Sequence, residues 1–150
     1  MREGYINQAN ADSTMDPCVV YFSRTGNTKR LAQAIADVAN APLMNIAGTL
    51  PSTIETFDPL ILGTPVEGSS PAKETRSFIE GMNKVEGKKA ILFCTYRIFG
   101  NERTLKNMEK ELKNKGYKTI LKVSKKGMKP EKEAEFSEIV IEVKKTLGQL

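Results

Sequence analysis

The sequence predicts an α/β fold, a doubly wound parallel sheet with helices on both faces. Two observations carry that expectation. Continuous apolar runs, CVVYF at 18–22, DPLILG at 58–63 and KAILFC at 89–94, have the character of strands buried on both faces. Segments between them repeat apolar residues at helical spacing, one stripe per helix. Strands that alternate with helices connect by right-handed crossovers and therefore lie parallel.

Residues 1–16 (MREGYINQANADSTMD) are polar and aperiodic and read as a tail without regular structure, leaving 17–150 as one domain. CVVYF is the first strand. A helix follows from Asn27, with Leu31, Ala34, Ile35 and Val38 on its core side. PLMNI, 42–46, is a weaker second strand, and Gly48 and Pro51 leave 47–56 too broken for more than a helical turn. DPLILG is the third strand, ending at Gly63-Thr64-Pro65. Ser70 and Pro71 read as the N-cap and first residue of the next helix, which carries Thr75, Phe78, Ile79 and Met82 on one face. KAILFC is the fourth strand. After a loop at 95–101, a helix with Leu105, Met108 and Leu112 stops at Gly116, a C-cap glycine. YKTILKV, 117–123, alternates as an edge strand covered on one face does. Phe136, Ile139, Val140, Val143 and Leu147 form the stripe of the final helix.

Composition excludes several chemistries. The chain has no histidine, so imidazole acid–base catalysis and histidine-containing triads are ruled out. Cys18 and Cys94 lie inside apolar runs without CxxC spacing, so they read as small buried hydrophobes and no metal site is expected. No apolar run nears the roughly 20 residues that cross a bilayer. The N-terminus lacks a basic-then-apolar leader pattern, and a cytoplasmic location is the expectation.

Charge is unevenly placed. Residues 1–101 carry 10 basic and 10 acidic side chains, residues 102–133 carry 11 and 5, and residues 134–150 carry 2 and 3. The net charge of +5 therefore resides in one block, Glu102 to Glu133. Such a block suits an acidic partner, or is a solvated helix face followed by a lysine-rich loop. With Tyr117 the sole aromatic among these lysines, nucleic acid is not an expected partner.

In open doubly wound sheets, ligands bind beyond the carboxyl ends of strands, where the winding reverses. Three loops leave strands there: Ser23–Thr28, Thr64–Ser70 and Thr95–Asn101, all rich in hydroxyls and glycine. The first runs straight into a helix, whose N-terminal N–H groups lack partners and whose dipole favours an anion. Gly26 allows a sharp turn, while Ser23, Thr25, Asn27 and Thr28 bring side-chain donors. A phosphate dianion fits such a loop without a lysine. The spacing is neither that of a Walker A loop nor GxGxxG.

SRTGNT directly after a buried strand resembles the T/S-x-T-G-N-T phosphate loop of flavodoxins, and the likeness extends over about residues 17–147 through GTPVEG and TYRIFGN. The resemblance implies a flavodoxin-like five-stranded sheet of order 2-1-3-4-5 and FMN as the cofactor. Its phosphate would lie on Ser23, the backbone of Arg24, Thr25, Gly26, Asn27 and Thr28. Thr64 and Pro65 would border the ribityl chain and ring, and Val66, Glu67 and Gly68 the N5 edge. Thr95, Tyr96, Arg97 and Gly100 belong to the loop on the other side of the ring. Tyr96 is the candidate for stacking, or else caps a strand. Arg97 lies towards the pyrimidine end, or is a surface arginine. Glu67 would disfavour the anionic reduced flavin. In that family a peptide of the second loop turns to bond the protonated N5, and Glu67–Gly68 corresponds to it.

The chain departs from the family's pattern in two ways. It has no Trp, with Val66 where the second loop often places an aromatic, and it is basic where familiar flavodoxins are acidic. The implied function is FMN-based electron transfer between redox partners, with no catalytic side chain of the protein's own. Two alternatives stand beside it: an FMN-dependent NAD(P)H or quinone oxidoreductase, since GTPVEGSSPAKETRSFIEGM is also similar to a segment of quinone reductases, and a flavin-free interaction module. Whether the protein is an enzyme therefore stays open, as does its oligomeric state.

Overall fold

The computed structural model describes residues 15–127 and 136–150. In chain order the elements are β1 (Cys18–Tyr21), α1 (Asn27–Ala39), β2 (Leu43–Asn45), two short 3-10 turns (Ile46–Gly48 and Pro51–Ile54), β3 (Leu60–Glu67), β4 (Ser70–Pro71), α2 (Lys73–Glu80), β5 (Lys88–Tyr96), α3 (Asn101–Lys113), β6 (Tyr117–Lys126) and α4 (Ser137–Leu147). The long strands form a parallel sheet in the order β2-β1-β3-β5-β6. Counting these five alone, the order is the expected 2-1-3-4-5.

Strand alternation sorts the core into two layers. Cys18, Val20, Leu60, Leu62, Ala90, Leu92 and Cys94 point to the face covered by α2 and α3, through Phe78, Ile79, Leu105, Met108 and Leu112. Val19, Tyr21, Ile61, Ile91 and Phe93 point to the opposite face, covered by Leu31 and Ile35 of α1 and by Phe136, Ile139, Val143 and Leu147 of α4. Residues of β1 and β3 are buried on both faces, which is why their sequences read as unbroken apolar runs. β6 is one of the two edge strands, and its mixed burial explains its alternation.

Three local expectations are corrected. Ser70 and Pro71 do not open α2. They form a two-residue antiparallel strand folded back on β3, with Val66 opposite Pro71 and Glu67 opposite Ser70, and the helix starts at Lys73 after Ala72. β3 accordingly runs on to Glu67 instead of stopping near Gly63. A proline serves a strand edge as well as a first helical turn, because both positions leave its missing N–H unneeded. At the other end of the sheet, α3 ends at Lys113 with Asn114 as its cap, and Gly116 takes the left-handed turn two residues later.

Of the expected N-terminal tail only Met15 and Asp16 are described, and Asp16 exchanges backbone hydrogen bonds of 2.8 and 3.0 Å with Asp58. The lysine-rich end of the basic block from residue 128 lies outside the described residues. Among the described residues no helix is long and apolar enough to cross a membrane, and no group of His, Cys, Asp or Glu is placed to hold a metal ion.

Candidate functional site

The parallel strands β1, β3 and β5 lie side by side and end at the same edge of the sheet, so their following loops converge. The first loop leaves β1 beside β3, where Phe22 N–H donates to the Gly63 carbonyl at 3.1 Å. Ser23 Oγ then accepts from Gly26 N–H at 3.0 Å, closing the turn from within. Gly26 sits at the N-cap of α1 with φ of +100°, and no side chain caps the helix. The orphan N–H groups of the first turn of α1 consequently have no side-chain cap from Gly26. Apart from its chain neighbours, no atom lies within 4 Å of where a Cβ on Gly26 would be, so that side of the residue is open. Thr25 is exposed and Asn27 is half-buried beside it.

Two of the anticipated hydroxyls face inward instead. Thr28 is buried and shares a hydrogen bond of 2.8 Å with Thr95, binding the first turn of α1 to the end of β5. What Thr28 brings to the helix N-terminus is its backbone N–H. Thr64 is fully buried; its oxygen accepts from Ala72 N–H at 3.1 Å and from the Thr75 hydroxyl at 2.9 Å, and it donates to the Pro65 carbonyl at 3.0 Å. A hydroxyl has one donor and two acceptor positions, so Thr64 is saturated and pins the β3–β4 hairpin to the start of α2.

The hairpin turn is Gly68–Ser69, with φ of +60° and +62°, the left-handed pair that a tight two-residue turn requires. Pro65, Val66 and Glu67 are half-buried and Gly68 is exposed. The third loop approaches from the other side. Tyr96 is half-buried at the end of β5, and Arg97, Ile98 and Phe99 are exposed. Gly100, at φ of +96°, caps α3; a Cβ there would lie 2.9 Å from Ser69 and 3.1 Å from Val66. The two loops thus approach closely only because residue 100 is glycine. Asn101 Nδ2 donates to Ser124 Oγ at 3.0 Å, fixing the start of α3 on β6.

One feature was not visible in the sequence. The Arg24 side chain crosses from the first loop to the second, its Nη2 donating to Glu67 Oε1 at 3.0 Å and to Glu74 Oε1 at 2.9 Å, with Nε also on Glu67. Its guanidinium lies 4.8 Å from the Phe22 ring. Hydrogen bonding from Arg24 holds the Glu74 carboxyl below the usual carboxylate range. Contacts spanning 43 and 50 residues carry no local sequence signal. Elsewhere, a groove of about 630 Å³ lined by Lys88, Lys89, Lys113, Lys118 and Tyr117 lies at the opposite end of the sheet, remote from the three loops.

The family model described as "Flavodoxin domain" matches residues 18–123. The chain belongs to the flavodoxin family. An uncharacterized protein of Methanocaldococcus jannaschii is 30% identical over 95 residues, covering 63% of this chain and 63% of its own length. A flavodoxin of Clostridium beijerinckii is 29% identical over 106 residues, covering 65% of this chain and 76% of its own. The solution structure of two-electron reduced Megasphaera elsdenii flavodoxin superposes with a TM-score of 0.72 at 21% identity, covering 89% of this chain and 99% of that one. That structural likeness concerns the fold. In the present flavodoxin-family chain, the matched region contains the first, second and third loops entire.

Proposed function

We propose that the protein binds FMN across the three loops and carries electrons between redox partners. The observation that carries this reading is the loop from Ser23 to Thr28: a helix N-terminus without a side-chain cap behind a glycine that has open space beside it. The donor set suits a phosphate monoester. Backbone N–H groups of Asn27 and Thr28 and the side chains of Thr25 and Asn27 would hold it, with Ser23 shaping the turn through the Gly26 N–H. Pro65, Val66 and Tyr96 supply the apolar and aromatic surface that a flat ring system needs. Bound FMN would supply the electron chemistry. The chain's own part is to hold the phosphate, present Gly68 to the ring edge and screen the ring from water.

β6 pairs with β5 so that Lys125 lies opposite Thr95 and Lys126 opposite Tyr96, which brings the basic edge of the molecule up to the loop cluster. Ile98 and Phe99, each 72% exposed, stand beside it. An acidic redox partner that also offers an apolar contact fits this surface. A cytoplasmic site of action accords with such a role.

Titrating the purified protein with FMN while recording the visible spectrum tests the reading. Saturable, stoichiometric binding with a shifted flavin band is the expected result, and a protein that binds no FMN overturns it. An oxidoreductase acting on quinone is distinguished by NAD(P)H oxidation under steady-state conditions, which an electron carrier alone does not support.

A further inference from the structure

We propose that Arg24 is a positioning residue that clamps the Glu67–Gly68 turn against the phosphate loop, and so sets both the mobility and the charge of the turn beside the ring. The inference rests on the FMN reading for where the ring lies, but the clamp itself is a property of the polypeptide.

The turn is weakly held by its own backbone. β4 is two residues long, Gly68 is exposed, and both central residues of the turn are left-handed. Thr64 ties the base of the hairpin to Ala72 and Thr75, and Arg24 ties its tip to the first loop. Its guanidinium takes Glu67 through two nitrogens and reaches Glu74 in the first turn of α2. It is stacked on Phe22, which leaves β1. One side chain therefore ties together the end of β1, the phosphate loop, the hairpin turn and α2. An isolated exposed ion pair contributes little to stability, and these groups are 46%, 36% and 37% exposed. This one differs in being bidentate, shared between two carboxylates and backed by an aromatic ring.

The two carboxylates make the arrangement sensitive to the cation. Glu67 Oε1 and Glu74 Oε1 lie 3.0 and 2.9 Å from the same Nη2 atom, so the carboxylates face each other across it. With Arg24 the cluster sums to one negative charge; without it, two negative charges adjoin with nothing between them. Their repulsion would push Glu67, and the turn with it, away from α2. The extra negative charge would also oppose reduction of a ring bound beside the turn.

Three variants separate grip from charge. In the FMN-free protein, Arg24→Ala should raise amide hydrogen exchange in the 64–72 segment about tenfold while strands β1 and β5 keep their protection. In the FMN-loaded protein the same variant should disfavour the fully reduced flavin about tenfold, which is about 59 mV for one electron. Arg24→Lys keeps the charge but not the bidentate grip, so its potentials should stay near wild type while exchange remains raised. Glu74→Gln should raise the potential, having removed one negative charge. Unchanged exchange in Arg24→Ala would overturn the clamp, whatever the flavin does. Raised exchange in Arg24→Ala, together with a wild-type protein that binds no FMN, would keep the clamp and remove the flavin reading.

Discussion

The hydroxyls of Thr28 and Thr95 meet at 2.8 Å, joining the first turn of α1 to the last residues of β5 across 67 positions of sequence. Both side chains are buried, so each is the other's partner in place of water. This bond fixes the helix N-terminus, and with it the loop from Ser23, relative to the loop that carries Tyr96. Replacing Thr28 by Val leaves the Thr95 hydroxyl buried without that partner, at a cost of about 1–3 kcal/mol. Replacing both by Val should cost less than the sum of the two single changes. Urea denaturation of the four proteins in the cycle measures the coupling, and strictly additive costs would show that the two hydroxyls act independently.

Gly63 lies opposite Phe93 in the β3–β5 pairing, and a Cβ on it would come 2.0 Å from the ring of Phe93. Phe93 is itself fully buried between β5 and the α1–α4 layer, so the ring has nowhere to retreat without moving a helix. Gly63→Ala should destabilise the fold by about 1–3 kcal/mol through overpacking. Adding Phe93→Leu should recover part of the loss, since the smaller side chain admits the methyl. The midpoint of chemical denaturation reads both effects.

Gly68 behaves differently. No atom lies within 4 Å of a Cβ built on it, so an alanine meets no clash and only the left-handed backbone, φ +60°, resists the change. Gly68→Ala should cost about 1–2 kcal/mol from that strain. If this turn reorients towards a bound flavin, the first one-electron potential of the FMN-loaded protein should fall relative to the second. Potentials identical to those of the parent protein would remove Gly68 from that role.

Alkaline pH should destabilise the fold by a defined route. Burial pushes the thiols of Cys18 and Cys94 up to about 12, with the charge of Asp16 adding to the effect on Cys18. Burial, followed by the charges of Cys18, Glu55 and Asp58, raises the Tyr117 phenol to about 12 as well. In each case the folded state holds its proton longer than the unfolded chain. Stability is therefore complete below the ordinary thiol value of 9.0 and falls as pH rises towards about 12. Each group contributes a slope of up to about 1.4 kcal/mol per pH unit once the unfolded form has ionised. Urea midpoints between about pH 8 and pH 10.5 should decline, and less steeply in Cys94→Ala; a flat profile would mean the thiols titrate alike in both states. At neutral pH the native thiols should resist alkylation until the protein unfolds.

Much of the fold was legible because burial writes itself into composition. β1, β3 and β5 are enclosed on both faces, and only unbroken apolar runs satisfy that environment. The helices show their stripes because one side of each rests on the sheet. Ser70-Pro71 suits both a strand edge and a helix start, since each tolerates a proline, and only the pairing of Glu67 with Ser70 and Val66 with Pro71 decides between them. The loop from Ser23 to Thr28 stands out in the sequence because its candidate donors lie within six neighbouring residues.

By itself, the sequence determined the alternation of elements, the layering of the core and the position of the hydroxyl- and glycine-rich loop from Ser23 to Thr28, since each depends on residues close in the chain. Tertiary structure decided what the side chains of that site do. It turned Thr28 and Thr64 inward to become structural posts, let Gly100 bring two loops into contact, and set Arg24 between Glu67 and Glu74. The physical reason is that a hydroxyl or a guanidinium carries the same donors wherever it stands. Which partner it meets depends on distances of a few ångströms between segments tens of residues apart, and those are set only when the sheet assembles.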